Sequence, residues 1–347
     1  MEKTTVKPKA VQGALSLALL GVAILTSVAT GLAAHYTPVF EDHLKKELQR
    51  QRDVDGKLFY NDGYLDDGDY VLLGQLPYAD YSRGGVYFIG ASETKIAIRP
   101  WELPPAEQAL IHNYSLGDLR HSDVLHYVRS LVEEDGLLEA GAAKTTVVLG
   151  LSYQMTRTRD LSHASNRYVP MLFERHGLYT YDVENGIRRT PMTNVERFLR
   201  LEKVRARRFL QVLVTPKDDV SIERESAEHM RDYLIDAMGQ DWLPEMERQV
   251  GYVGETIDYL HARGANVRVI LPPEASWHDG LPYDETYREL LKPILRSRKV
   301  PVSDLENLLA DRDFSDAVHA RYSGEMKLHA AYREIALRSL ADMGVKP

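Results

Sequence analysis

Gly85-Val86-Tyr87-Phe88-Ile89-Gly90-Ala91-Ser92-Glu93-Thr94 is the stretch from which the fold of this chain is read. A glycine opens it, a short apolar and aromatic run follows, and a Gly-x-Ser step closes it. The run predicts a buried strand, and the small residues mark its exit. Ser92 then lies at the carboxyl end of a strand, where open α/β sheets bind their ligands. Gly90 and Ala91 keep bulk away from the hydroxyl, so a carbonyl carbon has room to approach it. Taken alone, a Gly-x-Ser step is a structural turn. It gains chemical weight only from a base and an orienting group elsewhere in the chain.

Both stand near the other end, in Asp313-Phe314-Ser315-Asp316-Ala317-Val318-His319-Ala320-Arg321-Tyr322-Ser323-Gly324. Asp316 and His319 are three residues apart. In a loop leading into a helix, that spacing lets a carboxylate reach the imidazole or brings both groups to one site. A serine nucleophile needs this pair: the histidine takes its proton, and the aspartate fixes the tautomer and stabilises the imidazolium. For either residue by itself, an exposed position at a helix start is the common alternative.

Between these stretches strands and helices alternate. Leu110–Gly117 predicts a second strand ending in a glycine loop. Leu119–Glu134 predicts a helix with Val124, Leu125, Val128, Leu131 and Val132 on its apolar face, and Thr145–Leu151 a buried strand. Arg157–Thr193 is polar and irregular and reads as an insertion over the site. Asn194–Arg207 follows as a helix and Phe209–Val214 as a strand stopped by Pro216. Ser226–Arg263 is helical, broken near Gly239 and Pro244. Asn266–Leu271 is a strand ended by Pro272-Pro273, Glu285–Ser297 a helix, Val300–Ser303 a short strand and Gly324–Met343 the closing helix. This order predicts an α/β fold, a three-layer sandwich whose central parallel sheet is covered on both faces.

The first residues carry a different signal. Lys3, Lys7 and Lys9 precede Val11–Ala34, which has no charge. Such a run is long enough to cross a bilayer as a helix, and it lacks the polar face of a surface helix. The reading is a cytoplasmic tail over 1–10, an uncleaved transmembrane anchor over 11–34, a charged juxtamembrane segment over 35–80 and an extracytoplasmic domain over 81–347, with the insertion around 157–210. Asn61–Tyr70 is acidic and turn-like but lacks the ligand spacing of a calcium loop, so it reads as a solvated turn. The 347 residues carry a net charge of -8, so nucleic acid is not an expected partner. The absence of cysteine excludes disulfides, thiol nucleophiles and cysteine metal sites. His112, His121 and His126 match no helical metal-ligand spacing and read as surface histidines. The arginine-rich run from Gly186 to Leu210 reads as a solvated helix face, with contact to anionic lipid or polymer as the alternative.

A serine after the first strand, paired with Asp316-x-x-His319 close to the C-terminus, resembles the SGNH (GDSL-like) hydrolase superfamily. Leu271-Pro272-Pro273-Glu274-Ala275-Ser276-Trp277-His278-Asp279-Gly280-Leu281, with Tyr287 after it, is similar to the Pro-Pro…Trp…Gly stretch of the D-alanyl transfer proteins of teichoic-acid D-alanylation. Leu151-Ser152-Tyr153-Gln154-Met155 lies where that family carries Ser-Pro-Gln-Trp. The extracytoplasmic SGNH proteins of polysaccharide O-acetylation share the plan. The resemblance covers roughly residues 80–345.

It implies an SGNH (flavodoxin-like) sheet and acyl-ester chemistry with Ser92 as nucleophile, His319 as base and Asp316 as its orienter. It implies oxyanion donors at the Ser92 backbone N–H and at Gly117, with Asn113 just before that loop. The family's third donor, an asparagine after the third strand, is missing here, and Gln154 is the side-chain amide in its place. Trp277 and His278 line an acceptor pocket or take a core or surface role, and Glu93 caps or braces the turn after Ser92. The resemblance further implies a membrane-bound O-acyltransferase as partner and an envelope polysaccharide or teichoic acid as acceptor, with no metal or organic cofactor. The acyl group is acetyl or D-alanyl. A plain esterase or deacetylase, and a non-catalytic assembly partner of the transferase, are the alternatives.

Overall fold

The computed structural model describes residues 8–36, 72–73, 76, 79–139, 141–158, 177–182, 186–203 and 226–346. The segments expected at 39–53 and 61–70, most of the insertion and the strand expected at Phe209–Val214 lie outside them. The chain divides into two compact units, Met1–Val54 with Met192–Asp218, and Asp55–Pro191 with Asp219–Pro347.

In the first unit, helix α1 (Pro8–Tyr36) runs through the chargeless stretch. Leu19, Leu20, Val22, Ile24, Leu25 and Val28 are exposed along it. Among the residues whose side chains are described, which within α1 are 16, 18–30 and 32, no helix is long and apolar enough to cross a membrane. The stretch expected as helix from Asn194 is helical through Lys203, where the described residues stop.

The second unit is built on a parallel sheet of five described strands: β1 (Gly85–Ile89), β2 (Ile111–Asn113), β3 (Thr145–Gly150), β6 (Asn266–Leu271) and β7 (Val302–Asp304). Their spatial order is β2-β1-β3-β6-β7. A separate antiparallel hairpin pairs β4 (Tyr179–Asp182) with β5 (Gly186–Arg189). The central strands are apolar without alternation because both faces of the sheet are covered. Val86, Phe88, Val148 and Ile270 join one core with Leu328, Tyr332, Ile335 and Leu340. These last four lie on the closing helix, α7 in the numbering used here (Tyr322–Asp342). Tyr87, Ile89, Val147, Leu149 and Val269 point the other way, as a period of two requires, and are also fully buried.

The longer described helices of this unit besides α7 are α2 (Ser92–Ala97), α3 (His121–Glu133), α4 (Ala227–Met238), α5 (Trp242–His261) and α6 (Tyr283–Ser297). Helix α5 packs against α3, α6 and β6, whereas α7 packs against α2 and β1.

Several expected elements differ. The second strand is only three residues long. After Asn113 the chain turns, and Tyr114 N donates to Phe88 O at 2.8 Å and Leu116 N to Gly90 O at 3.2 Å. These bonds draw the loop toward the end of β1. The helical stretch at 226–263 is broken at Gly239–Asp241, between α4 and α5, as expected, but Pro244 lies past the break. It is the third residue of α5, where its missing N–H has no intrahelical acceptor to lose. The insertion contains the β4–β5 hairpin, which packs on α3. There Tyr181 donates to the buried Asp123 at 2.8 Å. The arginines that open the basic run are engaged as well: Arg189 pairs with Asp135 and donates to the Glu134 carbonyl.

Of the histidines expected at the surface, His112 and His126 are half-buried and His121 is packed inside. His121 is fully buried and stacks on Tyr287, and His112 stacks on Tyr87. Burial pushes the first down to about 3 and the second to about 4. Among the described residues no group of metal-ligating side chains comes together.

Candidate active site

The site begins where β1 stops. Ser92 is the first residue of α2, so its hydroxyl stands at the carboxyl edge of the sheet. The turn requires glycine at two places. A Cβ on Gly90 would lie 2.5 Å from Thr94 Oγ1 and 2.9 Å from the Gly150 carbonyl. A Cβ on Gly150 would overlap Thr94 Oγ1 outright. Without side chains there, the ends of β1 and β3 let the first turn of α2 settle between them.

The loop before α7 brings the other groups. Phe314 and Ala320 form an antiparallel bridge, and Arg321 N donates to Asp313 O at 2.7 Å. Ser315 closes the loop from within, donating its N–H and its hydroxyl to the His319 carbonyl. Asp316 folds over the tip, where Oδ1 accepts the backbone N–H groups of Val318 at 2.9 Å and His319 at 2.8 Å. Its Oδ2 is left for the imidazole, and His319 Nδ1 lies 2.8 Å away.

With Nδ1–H donated to Asp316, the unprotonated Nε2 faces Ser92 Oγ at 2.7 Å. Burial drives the His319 imidazole toward the neutral form, but the hydrogen bond and charge of Asp316, with Glu93 beyond, outweigh it and raise its pKa. Burial likewise opposes the charge on Asp316. The His319 bond and charge and the two backbone donors overcome that and lower its pKa.

Three expected site residues brace the site rather than face it. Asn113 Nδ2 donates to the carbonyls of Thr94, Lys95 and Ile98, at 3.3, 3.0 and 2.9 Å, and its Oδ1 accepts Ser115 N at 3.1 Å. Its amide ties α2 to the end of β2, so it is not an oxyanion donor. Trp277 is buried, and its Nε1 donates to the Ala317 carbonyl at 2.9 Å. His278 Nε2 reaches the same carbonyl at 2.9 Å while Nδ1 meets the Tyr153 hydroxyl at 2.9 Å. Both rings hold the tip between Asp316 and His319.

Gly117 follows the residue bonded to Gly90 O, on the loop beside Ser92. Next to it, Asp118 has a positive φ of 61° and pairs with Arg157. Gln154 lies on the single turn Tyr153–Thr156 after β3, buried. Its amide leans toward the Tyr153 hydroxyl without meeting hydrogen-bond geometry, leaving Nε2 without a hydrogen bond among the described residues.

The surroundings of Glu93 are not visible in the sequence. Its Oε2 lies 3.3 Å from Ser92 Oγ, and its Oε1 accepts the Ser152 hydroxyl at 2.8 Å. Below it, Ile96, Pro272, Pro273, Phe314, Val318 and Leu328 line a small apolar recess. Only the adjacency of Ser92 and Glu93 signalled this, since the partner serine belongs to another strand end.

No family model matches the chain, and no curated protein does. Among solved structures, the chain is similar to a GDSL-like lipase from Bacteroides thetaiotaomicron at 11% identity, covering 79% of this chain and 100% of that one with a TM-score of 0.39. It is also similar to a catalytic mutant of an acetylxylan esterase from Geobacillus stearothermophilus at 10% identity, covering 76% and 97% with a TM-score of 0.37.

Proposed function

We propose that this chain is a membrane-anchored, extracytoplasmic acyl-ester enzyme of SGNH type that moves an acyl group onto a cell-envelope polymer. The observation that carries the reading is the continuous bonded chain from Ser92 Oγ through His319 to Asp316, at 2.7 and 2.8 Å. Ser92 Oγ attacks the carbonyl carbon of an acyl donor as its proton passes to His319 Nε2, and the carbonyl π electrons move onto oxygen. The tetrahedral adduct collapses to an acyl-serine, and the imidazolium returns its proton to the leaving oxygen. An acceptor hydroxyl then attacks the acyl-serine, giving its own proton to His319, and the imidazolium passes that proton to Ser92 Oγ as the serine leaves. The Ser92 and Gly117 backbone N–H groups and the Gln154 amide are the proposed donors to the oxyanion.

The anchor is supported by the absence of charge in Val11–Ala34 and by helix α1 over it. Two hydroxyls within that helix are satisfied locally, Ser27 donating to the Ala23 carbonyl and Thr30 to the Thr26 carbonyl, each at 2.8 Å. Lysines ahead of the run favour a cytoplasmic start and place the site outside. A membrane-bound O-acyltransferase is the proposed donor partner, an envelope polysaccharide or teichoic acid the acceptor, and acetyl or D-alanyl the group moved.

A fluorophosphonate probe tests the chemistry. Ser92 is expected to be labelled in the wild type, and Ser92→Ala and His319→Ala to lose labelling while remaining folded. A folded wild type that resists the probe would reduce the domain to an assembly partner. Acceptor-dependent turnover is expected over release of free acid, and release of acid alone would make the chain an esterase. Protease added outside opened cells is expected to digest the domain.

A further inference from the structure

Glu93 touches the proposed nucleophile directly. Ser92 Oγ carries one proton and has two acceptors within reach: His319 Nε2 at 2.7 Å and Glu93 Oε2 at 3.3 Å. The second is too long to take the proton from the first, so it biases the direction of the hydroxyl instead of competing for it. The carboxylate is itself held. Its other oxygen accepts the Ser152 hydroxyl at 2.8 Å, and Ser152 is buried at the end of β3. One carboxylate therefore joins the strand end that carries Ser92 to the neighbouring strand end.

We infer that Glu93, clamped by Ser152, is a positioning residue that orients the Ser92 hydroxyl and sets a second carboxylate beside the His319 imidazole. The inference rests on the acyl-ester reading of the same site and adds a fourth member to it. The charged groups that face His319 are Asp316 from its own loop, Glu93 from α2 and Arg157 from the turn after β3. Asp316 and Glu93 favour the imidazolium, while Arg157, which pairs with Asp118, opposes it. When His319 takes the Ser92 proton, the new cation thus forms between two carboxylates rather than beside one.

The test reads His319 directly, in the full chain in detergent with histidine-selective nitrogen labelling, its signal assigned through His319→Gln. Glu93→Gln keeps size and the capacity to accept from Ser152 but removes the charge. The His319 titration midpoint is expected to move to lower pH in Glu93→Gln and to stay near the wild-type position in Glu93→Asp. Ser152→Ala, which frees the carboxylate without discharging it, is expected to give a smaller move.

The acid limb of the Ser92 labelling rate should move to lower pH in the same order, while its plateau above the limb falls about tenfold in Glu93→Gln because the imidazolium loses one neighbouring carboxylate. If Glu93 only braces the start of α2, Glu93→Gln lowers thermal stability and leaves the midpoint in place. An unmoved midpoint in folded Glu93→Gln overturns the inference. The titration decides this even for a protein that the probe does not label, so failure of the acyl-ester reading is scored separately.

Discussion

Trp277 donates its indole N–H to the Ala317 carbonyl at 2.9 Å, pinning the tip of the loop that separates Asp316 from His319. His278 Nε2 is at the same oxygen, also at 2.9 Å. Trp277→Phe removes one donor and keeps the apolar packing on Phe314. The expected loss of stability is about 1 kcal/mol, the net worth of one hydrogen bond. The expected loss of kcat is larger, roughly tenfold or more, because a shift of His319 by a fraction of an ångström lengthens the Ser92 contact. Thermal melting and single-turnover kinetics on the one variant separate the two effects. Equal wild-type rates would show that the loop holds its shape without the indole.

A second expectation concerns the glycine pair beneath Ser92. Gly150→Ala forces a methyl into Thr94 Oγ1, and the overlap is expected to cost about 1–3 kcal/mol. It should also displace α2 and with it Ser92. Thr94→Ala removes the oxygen that the new methyl meets. Combined with Gly150→Ala it is expected to recover part of the loss, a non-additive pair as contact between the sites requires. Denaturant midpoints of the two single variants and the double variant check this, and strict additivity would contradict it.

The pH dependence follows from the two shifted groups. His319 acts as a base only when neutral, so the rate is expected to rise with pH through a midpoint above the ordinary histidine value of 6.5. Stability runs the other way. A histidine whose folded pKa is raised stabilises the fold fully below its unfolded pKa, and that contribution is lost as pH rises through the folded value. Asp316, whose pKa is lowered from 3.8, contributes above its unfolded pKa and loses that contribution as pH falls through the folded value. The pair is therefore expected to stabilise most between the two ordinary values, on the acid side of the activity rise. Melting temperatures of wild type and His319→Gln across pH 4–9 (a range of about five units) would diverge at the acid end and converge at the alkaline end if this holds.

Gln154 is the place to look for the missing third donor. Its buried Nε2 makes no hydrogen bond among the described residues, so a group that charges only in the transition state would give it a partner. Gln154→Ala is expected to lower kcat by on the order of a hundredfold, about 3 kcal/mol, with little change in KM. Gln154→Glu should be at least as harmful, since a carboxylate repels the oxyanion. Near-normal acylation of Ser92 in Gln154→Ala would remove it from the donor set.

Much of the architecture is local and therefore legible. Buried strands in a parallel sheet are apolar on both faces, so runs such as Val147–Leu149 and Val269–Leu271 stand out without any partner in view. Helix α3 carries its apolar stripe in its own periodicity. Ser92 and the Asp316–His319 pair are visible as residue types at strand and helix ends. The hairpin at β4–β5 was not visible in this way, because its stability comes from contacts with α3 that lie far away in the chain.

What only the tertiary structure decided is where side chains point and which groups they meet. Nothing in the order of residues places Ser92 beside His319, 227 positions later, since that distance depends on how α7 lies against β1. Asn113 looked like a donor to substrate and turned out to be consumed by the carbonyls of Thr94 and Lys95 in α2 and of Ile98 just after it, and Trp277 and His278 look inward to Ala317. Glu93 acquired a function-bearing neighbour only because β1 and β3 are adjacent in the sheet, which brings Ser152 to it. Periodicity in sequence reports which faces are buried. The partners of a buried polar group are set by long-range register, which no local pattern encodes.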